Sequence, residues 1–211
     1  MKKFTLLSIM LFLYVVSFSQ IMPDSYDGIE QSSKSRIFID NFDDNRYYWI
    51  KESSPNTHRI SDGYLFFAND FGFPFTDGKP INFDPTRNFE LETKIKFVSG
   101  DVEEFNGLFF GQLIFGDKYY YSFSSLGEYK IEKEVGLNTE VIVPPTKLSS
   151  INQTAENSLT IRKYDDIYYF FINKTLVHTM PYETLPGQYI GFNISKKTLV
   201  RINFLRLQYI N

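Results

Sequence analysis

NSLTIRKYDDIYYFFINKTLVHTMP, residues 157–181, has the pattern of three consecutive antiparallel strands. Residues 158–163 alternate between apolar and polar side chains, whereas 167–172 are apolar on both faces, as in a strand that is covered on both sides. A tight turn at Asn173 and Lys174 leads into a third strand at 175–179. Because three strands cannot bury their apolar face alone, the rest of the chain must supply a second sheet.

A second clear pattern, NFELETKIKFV at residues 88–98, alternates between a mainly apolar series and a charged series of side chains. This period of two predicts a strand with one face in the core and a solvated charged face on the other side. The side chains expected to face the core are Phe89, Leu91, Thr93, Ile95 and Phe97, and those expected to face solvent are Glu90, Glu92, Lys94 and Lys96.

The remaining chain has short strand patterns separated by turn residues every 8–12 residues or so, and no segment has helical periodicity. We therefore expect a single all-β sandwich domain at residues 36–211, preceded by a flexible lead-in at 21–35. A strand is predicted at 47–50, whereas 135–148 is predicted to be a loop with one short strand at most. A phase slip predicts a β-bulge between Phe204 and Leu205.

The N-terminus has the features of a secretory signal peptide at residues 1–20. Lys2 and Lys3 are followed by an apolar run at 4–16 and a short polar exit at 17–20. The run is shorter than the ~20 residues that a membrane-spanning helix needs. We therefore expect export to the periplasm, the cell surface or the medium. A chain without cysteines favours a bacterial export route.

Charge and aromatic content limit the classes of partner. The formal net charge is −3, from 22 basic and 25 acidic residues that are spread evenly. The sequence shows no basic stripe, which argues against nucleic acid and against anionic membrane surfaces as partners.

Aromatic residues make up 18% of the chain. They are explained either by a sandwich core or by a face that stacks on sugars.

The order of motifs resembles the concanavalin A-like jelly rolls. The motifs are Asp40-Asn41-Phe42 with Trp49, SDGYL at 61–65, NFELE at 88–92, NGLFFG at 106–111, YYYSF at 119–123, GEYKI at 127–131 and NSLTIRK at 157–163. The resemblance implies a sandwich of two antiparallel sheets over nearly the whole mature chain. The superfamily includes laminin G-like modules, legume-type lectins, family-16 glycoside hydrolases and the 3-keto-disaccharide hydrolase domain, whose layout is the most similar. Such motifs specify the fold and not the function.

The resemblance also implies where a glucanase would carry its catalytic residues. Glucanases of the superfamily carry Glu-x-Asp-x-Glu on one strand. Glu90 and Glu92 have this spacing, but Lys94 stands where the third carboxylate would be. His58 and His178, the two histidines, have no metal-ligand spacing and belong to no recognisable triad. We assign no catalytic residue and no zinc site.

The segment around Asp40, Asp43 and Asp44 is dense in side-chain oxygens, which Ca²⁺ prefers as ligands. It lacks the full spacing of an EF-hand loop. Asx-type turns, in which the carboxylates accept hydrogen bonds from nearby backbone N–H groups, explain the same residues. A calcium site and a turn therefore both remain open at this segment.

Three functions remain open. The first is a non-catalytic, lectin-like module for glycan or another surface polymer, with Trp49, Asn106, Tyr119 and Tyr121 as candidate binding residues, since sugar sites pair flat aromatics with amide or carboxylate groups. Each candidate could instead belong to the core. The second is a hydrolase acting on oligosaccharides, and the third is an interaction module without a small ligand. Carboxylates grouped in one groove favour the enzyme, exposed aromatics without them favour the lectin, and a flat polar sheet favours the third.

Overall fold

The computed structural model describes residues 21–50, 58–113 and 116–211, so the predicted signal peptide lies outside the described residues. The described chain contains fourteen strands. They are β1 (Lys34–Asp40), β2 (His58–Ser61), β3 (Tyr64–Asn69), β4 (Phe75–Pro80), β5 (Phe89–Ser99), β6 (Asn106–Gln112), β7 (Lys118–Phe123), β8 (Glu128–Val135), β9 (Asn138–Lys147), β10 (Asn157–Tyr164), β11 (Ile167–Ile172), β12 (Thr175–Pro181), β13 (Tyr189–Ile194) and β14 (Thr198–Ile210). Two short 3-10 turns, Tyr26–Gly28 and Gln31–Ser33, precede them. No helix in the described ranges is long and apolar enough to cross a membrane.

The strands form two antiparallel sheets, which confirms the predicted all-β jelly-roll sandwich. The eight-stranded sheet has the order β12-β11-β10-β5-β14-β3-β2, with β1 also paired to β14. The six-stranded sheet has the order β4-β13-β6-β7-β8-β9. The core lies between the sheets. Leu91 and Ile95 of β5 and Phe170 of β11 lie in it together with Leu108 of β6 and Ile131 of β8.

The predicted meander is confirmed as β10, β11 and β12. β11 pairs with β10 on one side and with β12 on the other, so it is an interior strand. Asn173 and Lys174 both have positive φ angles, 49° and 69°, as the predicted tight turn requires. The predicted bulge is also present, since the pairing of β14 with β5 shifts register between Ile202 and Leu205.

Two predictions about local structure were wrong. Residues 135–148 are not mainly loop, because β9 runs for ten residues there and pairs with β8. Pro144 and Pro145 are tolerated because β9 is an edge strand, where a missing N–H costs no ladder bond. Residues 47–50 are not a strand but an irregular segment in which Tyr48 has a positive φ angle.

The outer face of the eight-stranded sheet is only partly the solvated face that the β5 pattern predicts. Glu90 and Glu92 do point away from the core, but both are buried, because the lead-in packs over them. Tyr26 of the lead-in donates a hydrogen bond to Glu92 Oε1 (2.8 Å), and Arg162 donates hydrogen bonds to the carbonyls of Pro23, Ser25 and Tyr26 (each 2.8 Å). The segment expected to be a flexible lead-in therefore covers half of this sheet face.

Candidate functional site

The sequence predicts ligand contacts at Trp49, Asn106, Tyr119 and Tyr121, and the structure places all four in the interior. Trp49 and Tyr121 are 0% exposed, and Asn106 and Tyr119 are 2% exposed. Three of these side chains have identified hydrogen-bond partners. Trp49 Nε1 donates to Asp40 Oδ2 (2.7 Å), the Ser195 N–H donates to Asn106 Oδ1 (3.0 Å), and the Tyr119 hydroxyl donates to Glu183 Oε2 (2.8 Å).

The two buried tyrosines show the effect of this environment on their chemistry. The Tyr119 ring stacks on Phe110 with centroids 5.1 Å apart, and burial raises the pKa of Tyr119 to about 12. Burial also raises the pKa of Tyr121 well above its ordinary value, and within the described chain its hydroxyl has no hydrogen-bond partner. These rings pack against protein, so the four residues do not form a common surface.

The residues around Asp40 explain how the chain leaves β1. Asp40 Oδ1 accepts a hydrogen bond from the Phe42 N–H (2.8 Å), while its Oδ2 accepts the bond from Trp49. Burial raises the pKa of Asp40. The Arg46 guanidinium binds both oxygens of Asp44 (2.8 and 2.7 Å) and lowers the pKa of Asp44 to about 2. Internal donors thus occupy the carboxylates of Asp40 and Asp44, as in Asx-type turns.

The same segment presents Tyr48 to solvent. Tyr48 is 74% exposed, although the next residue, Trp49, is fully buried. Its φ angle of 55° is a conformation that a bulky side chain rarely adopts and that costs about 1–2 kcal/mol. Asn45 holds the turn, because its Oδ1 accepts from the Ile50 N–H (2.9 Å) and its Nδ2 donates to the Ile50 carbonyl (3.1 Å). The exposed ring therefore stands on a firmly hydrogen-bonded backbone.

Tyr48 lines an open groove of about 450 Å³, which we call the Tyr48 groove. Its principal lining residues are Phe38, Arg46, Tyr47, Tyr48, Lys79 and Asn82. Lys79 Nζ donates to the Tyr48 carbonyl (3.0 Å) and lies 4.4 Å from the centroid of the Trp49 ring. The groove thus combines exposed and half-buried aromatic rings with a guanidinium, an ammonium and an amide group, which can stack on a ring and hydrogen-bond to hydroxyls.

A second groove, of about 430 Å³, lies on the outer face of the six-stranded sheet. We call it the carboxylate groove, and its main lining residues are Glu104, Phe105, Tyr120, Glu132, Glu134 and Asn193. Each of its carboxylates has a cationic partner. Glu134 pairs with Lys118 (2.6 Å), Glu132 with Lys130 (2.8 Å) and Glu104 with Lys196 (3.2 Å). The Tyr120 hydroxyl donates to Glu134 (2.7 Å). Burial is the larger cause, and this hydrogen bond the second, of the raised pKa of Tyr120.

No group of three or more His, Asp or Glu side chains within residues 21–50, 58–113 and 116–211 could hold a metal ion. Sequence reasoning missed the exposure of Tyr48, because the pattern YYWI predicts a strand in which neighbouring side chains alternate. It also missed Glu132 and Glu134, whose spacing resembles that of any charged strand face. The one signal for the Tyr48 groove was its position next to the single Trp.

Comparison with solved structures shows this fold in proteins of very different sequence. The carbohydrate-binding module CBM66 from Bacillus subtilis is 12% identical, with a TM-score of 0.57 over 72% of this chain and 91% of that chain. The endo-beta-1,3-glucanase from Pyrococcus furiosus is 10% identical, with a TM-score of 0.63 over 84% of this chain and 95% of that chain. No family model and no curated protein matches the sequence. The chain has the concanavalin A-like jelly-roll fold, and the layout of the 3-keto-disaccharide hydrolase domain is not confirmed.

Proposed function

We propose that the mature protein is an exported, non-catalytic module that binds carbohydrate at the Tyr48 groove. The observation that carries the proposal is the 74% exposure of Tyr48 on a backbone with a φ angle of 55°. Strained backbone conformations persist only where the surrounding structure enforces them, and they cluster at functional sites. Here the hydrogen bonds that Asp40 accepts from Trp49 Nε1 and Asn45 accepts from the Ile50 N–H enforce the strain and project an aromatic ring into solvent.

The chemistry of the Tyr48 groove suits an uncharged or weakly charged sugar. The Tyr48 ring offers an apolar face on which the C–H side of a pyranose can lie, which supplies contact area. Arg46, Lys79 and Asn82 surround it with donors for ring hydroxyls, which fix the orientation of the sugar. Because Asn45 already immobilises the backbone of the turn, binding would cost little ordering entropy.

The structural neighbours support a carbohydrate ligand without identifying it. They include the CBM66 module and the CBM2 module of the evolved Dit protein of Lactobacillus casei BL23 phage J-1, which is 11% identical with a TM-score of 0.58 over 84% of this chain and 96% of that chain. The basic, apolar and polar segments of residues 1–20 support export. N-terminal sequencing of the exported protein should find a terminus near Ile21, and a terminus at Met1 would contradict export.

A second candidate is a glycoside hydrolase that uses the carboxylate groove. Glu132 and Glu134 are two residues apart on β8, so their Cβ atoms lie on one face about 6.6 Å apart, and glycosidases place two carboxyl groups at roughly 5–9.5 Å. The candidate is weaker because Lys130 and Lys118 pair with these carboxylates. A glycosidase needs one of the two carboxyl groups to deliver a proton.

A glycan array probed with residues 21–211 tests the proposal and separates the candidates. The proposal expects binding to a defined set of glycans, with no release of reducing ends from the bound glycans. Hydrolysis that disappears in Glu134→Gln would instead establish the second candidate. If no glycan is bound or cleaved, both candidates fail and the interaction module without a small ligand remains.

A further inference from the structure

The half of the eight-stranded sheet that the lead-in does not cover carries a separate groove of about 610 Å³. We call it the basic groove. Its main lining residues are Tyr64 of β3, Lys94 and Lys96 of β5, Ser158 of β10, Lys174 of the β11–β12 turn and Arg201 of β14. Ala155, Glu156 and Asn173 complete the lining, so four cations face one carboxylate in a protein whose net charge is −3.

Charge pairing differs sharply between the two halves of this sheet face. In the covered half, Lys34 and Arg162 bind Glu90 (2.6 and 2.7 Å) and Arg206 binds Glu92. In the basic groove, Lys94 and Lys96 have no ion-pair partner among the residues that the structure describes. One strand, β5, thus carries two neutralised carboxylates under the lead-in and then two unneutralised ammonium groups.

The register of the sheet makes this arrangement costly for folding alone. Lys96 lies directly opposite Arg201 in the pairing of β5 with β14, and like charges in opposite positions are destabilising. Glu156 binds Arg201 (2.9 Å), and Lys174 pairs with Asp27 at the rim (3.0 Å). These two carboxylates leave Lys94 and Lys96 uncompensated, so an anion from outside the chain would complete the site.

We infer that the basic groove binds an anionic glycan, one that bears carboxylate or sulfate groups along its chain. Lys94 and Lys96 lie two positions apart on one strand, so their Cα atoms are roughly 6.6 Å apart. The backbone of Arg201 lies opposite Lys96 on the next strand, at the interstrand spacing of about 4.8 Å. The three cationic side chains therefore form a two-dimensional array. Such an array matches charges repeated along an extended polymer. Charge-assisted hydrogen bonds from these groups are about twice as strong as neutral ones.

The lining favours a glycan over the other polyanions. The Arg201 guanidinium lies 4.2 Å from the centroid of the Tyr64 ring, so one face of that ring is occupied. Single-stranded nucleic acids need a run of free aromatic faces on which successive bases stack. A lipid surface needs large apolar side chains that insert between headgroups, and the lining residues other than Tyr64 are polar, charged or alanine. The Ser158 hydroxyl can instead meet a sugar hydroxyl.

Binding of polygalacturonate, dextran sulfate and neutral dextran to residues 21–211 tests this inference. At least one of the two anionic glycans should bind at least about tenfold more tightly than neutral dextran, and added salt should weaken that binding. Comparison of polygalacturonate with dextran sulfate distinguishes carboxylate from sulfate. The double variant Lys94→Gln/Lys96→Gln should weaken the binding at least about tenfold, which is about 1.4 kcal/mol.

The matched control is Lys147→Gln/Lys196→Gln, which changes the net charge equally at exposed lysines outside the groove. It should weaken binding less than about twofold. The inference is overturned if the control loses as much affinity, if neither anionic glycan binds, or if oligothymidylate or phosphatidylglycerol-containing vesicles bind more tightly than both glycans. A Tyr48→Gly variant should keep this binding, because the basic groove does not depend on the Tyr48 groove.

Discussion

The Arg162 guanidinium donates two hydrogen bonds to one oxygen of the Glu90 carboxylate, from Nε at 2.9 Å and from Nη2 at 2.7 Å. Both side chains are buried, and Lys34 binds the other Glu90 oxygen at 2.6 Å. The remaining donors of Arg162 reach three carbonyls of the lead-in. One side chain therefore joins the sheet to the segment that covers it.

Replacement of Arg162 should release the lead-in from the eight-stranded sheet. Arg162→Met leaves three lead-in carbonyls and a buried carboxylate short of donors, so the free energy of unfolding should fall by about 3–5 kcal/mol in urea titrations. The control Arg59→Met removes an exposed guanidinium that lies 4.5 Å from the Phe66 ring, and it should cost less than about 1 kcal/mol. Equal losses would mean that the lead-in is not anchored through Arg162.

The two faces of β5 should respond differently to truncation. Ile95 is fully buried between the sheets, so Ile95→Ala should lower the free energy of unfolding by about 2–5 kcal/mol. The Lys94 side chain has no ion-pair partner among the residues that the structure describes, so Lys94→Ala should change stability by less than about 0.5 kcal/mol. Chemical denaturation measures both, and similar values would show that the register of β5 is wrong.

Asp40 should give the fold a characteristic pH dependence. Burial raises the pKa of Asp40 above its ordinary value of 3.8, so the folded state holds this proton more tightly than the unfolded chain. Its contribution to stability is therefore full below 3.8 and is lost as the pH rises from 3.8 through the raised pKa. Asp40→Asn should remove this slope from stability measured against pH.

The same variant also tests the hydrogen bonds of the turn. An asparagine oxygen can accept from only one of the two Asp40 partners, Phe42 N–H or Trp49 Nε1, because its amide group is a donor. Asp40→Asn should therefore cost about 1–3 kcal/mol at neutral pH. The exposed Asp43→Asn should cost less than about 0.5 kcal/mol. An unchanged pH slope together with unchanged stability in Asp40→Asn would remove the role assigned to Asp40.

Amide hydrogen exchange should find the most stable part of the sandwich in β11. Tyr169 and Phe171 lie in the middle of this strand, which is paired on both edges and covered by the core on one face and the lead-in on the other. Their amides should be among the slowest in the protein. Exchange as fast as that of the loop at 101–105 would show that β11 is not central.

Features that depend on neighbouring residues in the chain are predictable from the sequence, whereas features that depend on distant residues are not. The period of two along β5 gives the correct core face, and the turn at Asn173 gives the correct meander. The lead-in has no periodicity, and its packing depends on Arg162, more than 130 positions away. Burial of Glu90 and Glu92 was therefore not predictable from the pattern of β5 alone.

The candidate sites were harder to predict for the same reason. Aromatic residues that look suitable for sugar stacking, such as Trp49 and Tyr121, are the residues that a sandwich core also requires. Tyr48 is exposed because hydrogen bonds from Trp49 to Asp40 and from the Ile50 N–H to Asn45 fix a turn where the pattern suggests a strand. The basic groove collects four cations from three separate segments, so an even distribution of charge along the chain conceals it.

The strained backbone at Tyr48 provides a variant that separates binding from stability. Glycine adopts positive φ without steric cost, so Tyr48→Gly should leave the free energy of unfolding unchanged or raise it by up to about 1 kcal/mol. Loss of stability by more than that amount would mean that the ring packs against protein. The matched control is Phe73→Ala, which removes another exposed aromatic ring, 59% exposed, from a different loop.

The most direct measurement is calorimetric titration of the unmodified protein, Tyr48→Gly and Phe73→Ala with the uncharged glycan that binds best on the array. Saturable binding is expected for the unmodified protein and for Phe73→Ala, and affinity at least about tenfold weaker is expected for Tyr48→Gly. This variant removes the apolar ring face on which the sugar lies. Equal affinity of Tyr48→Gly and the unmodified protein would contradict the assignment of carbohydrate binding to the Tyr48 groove.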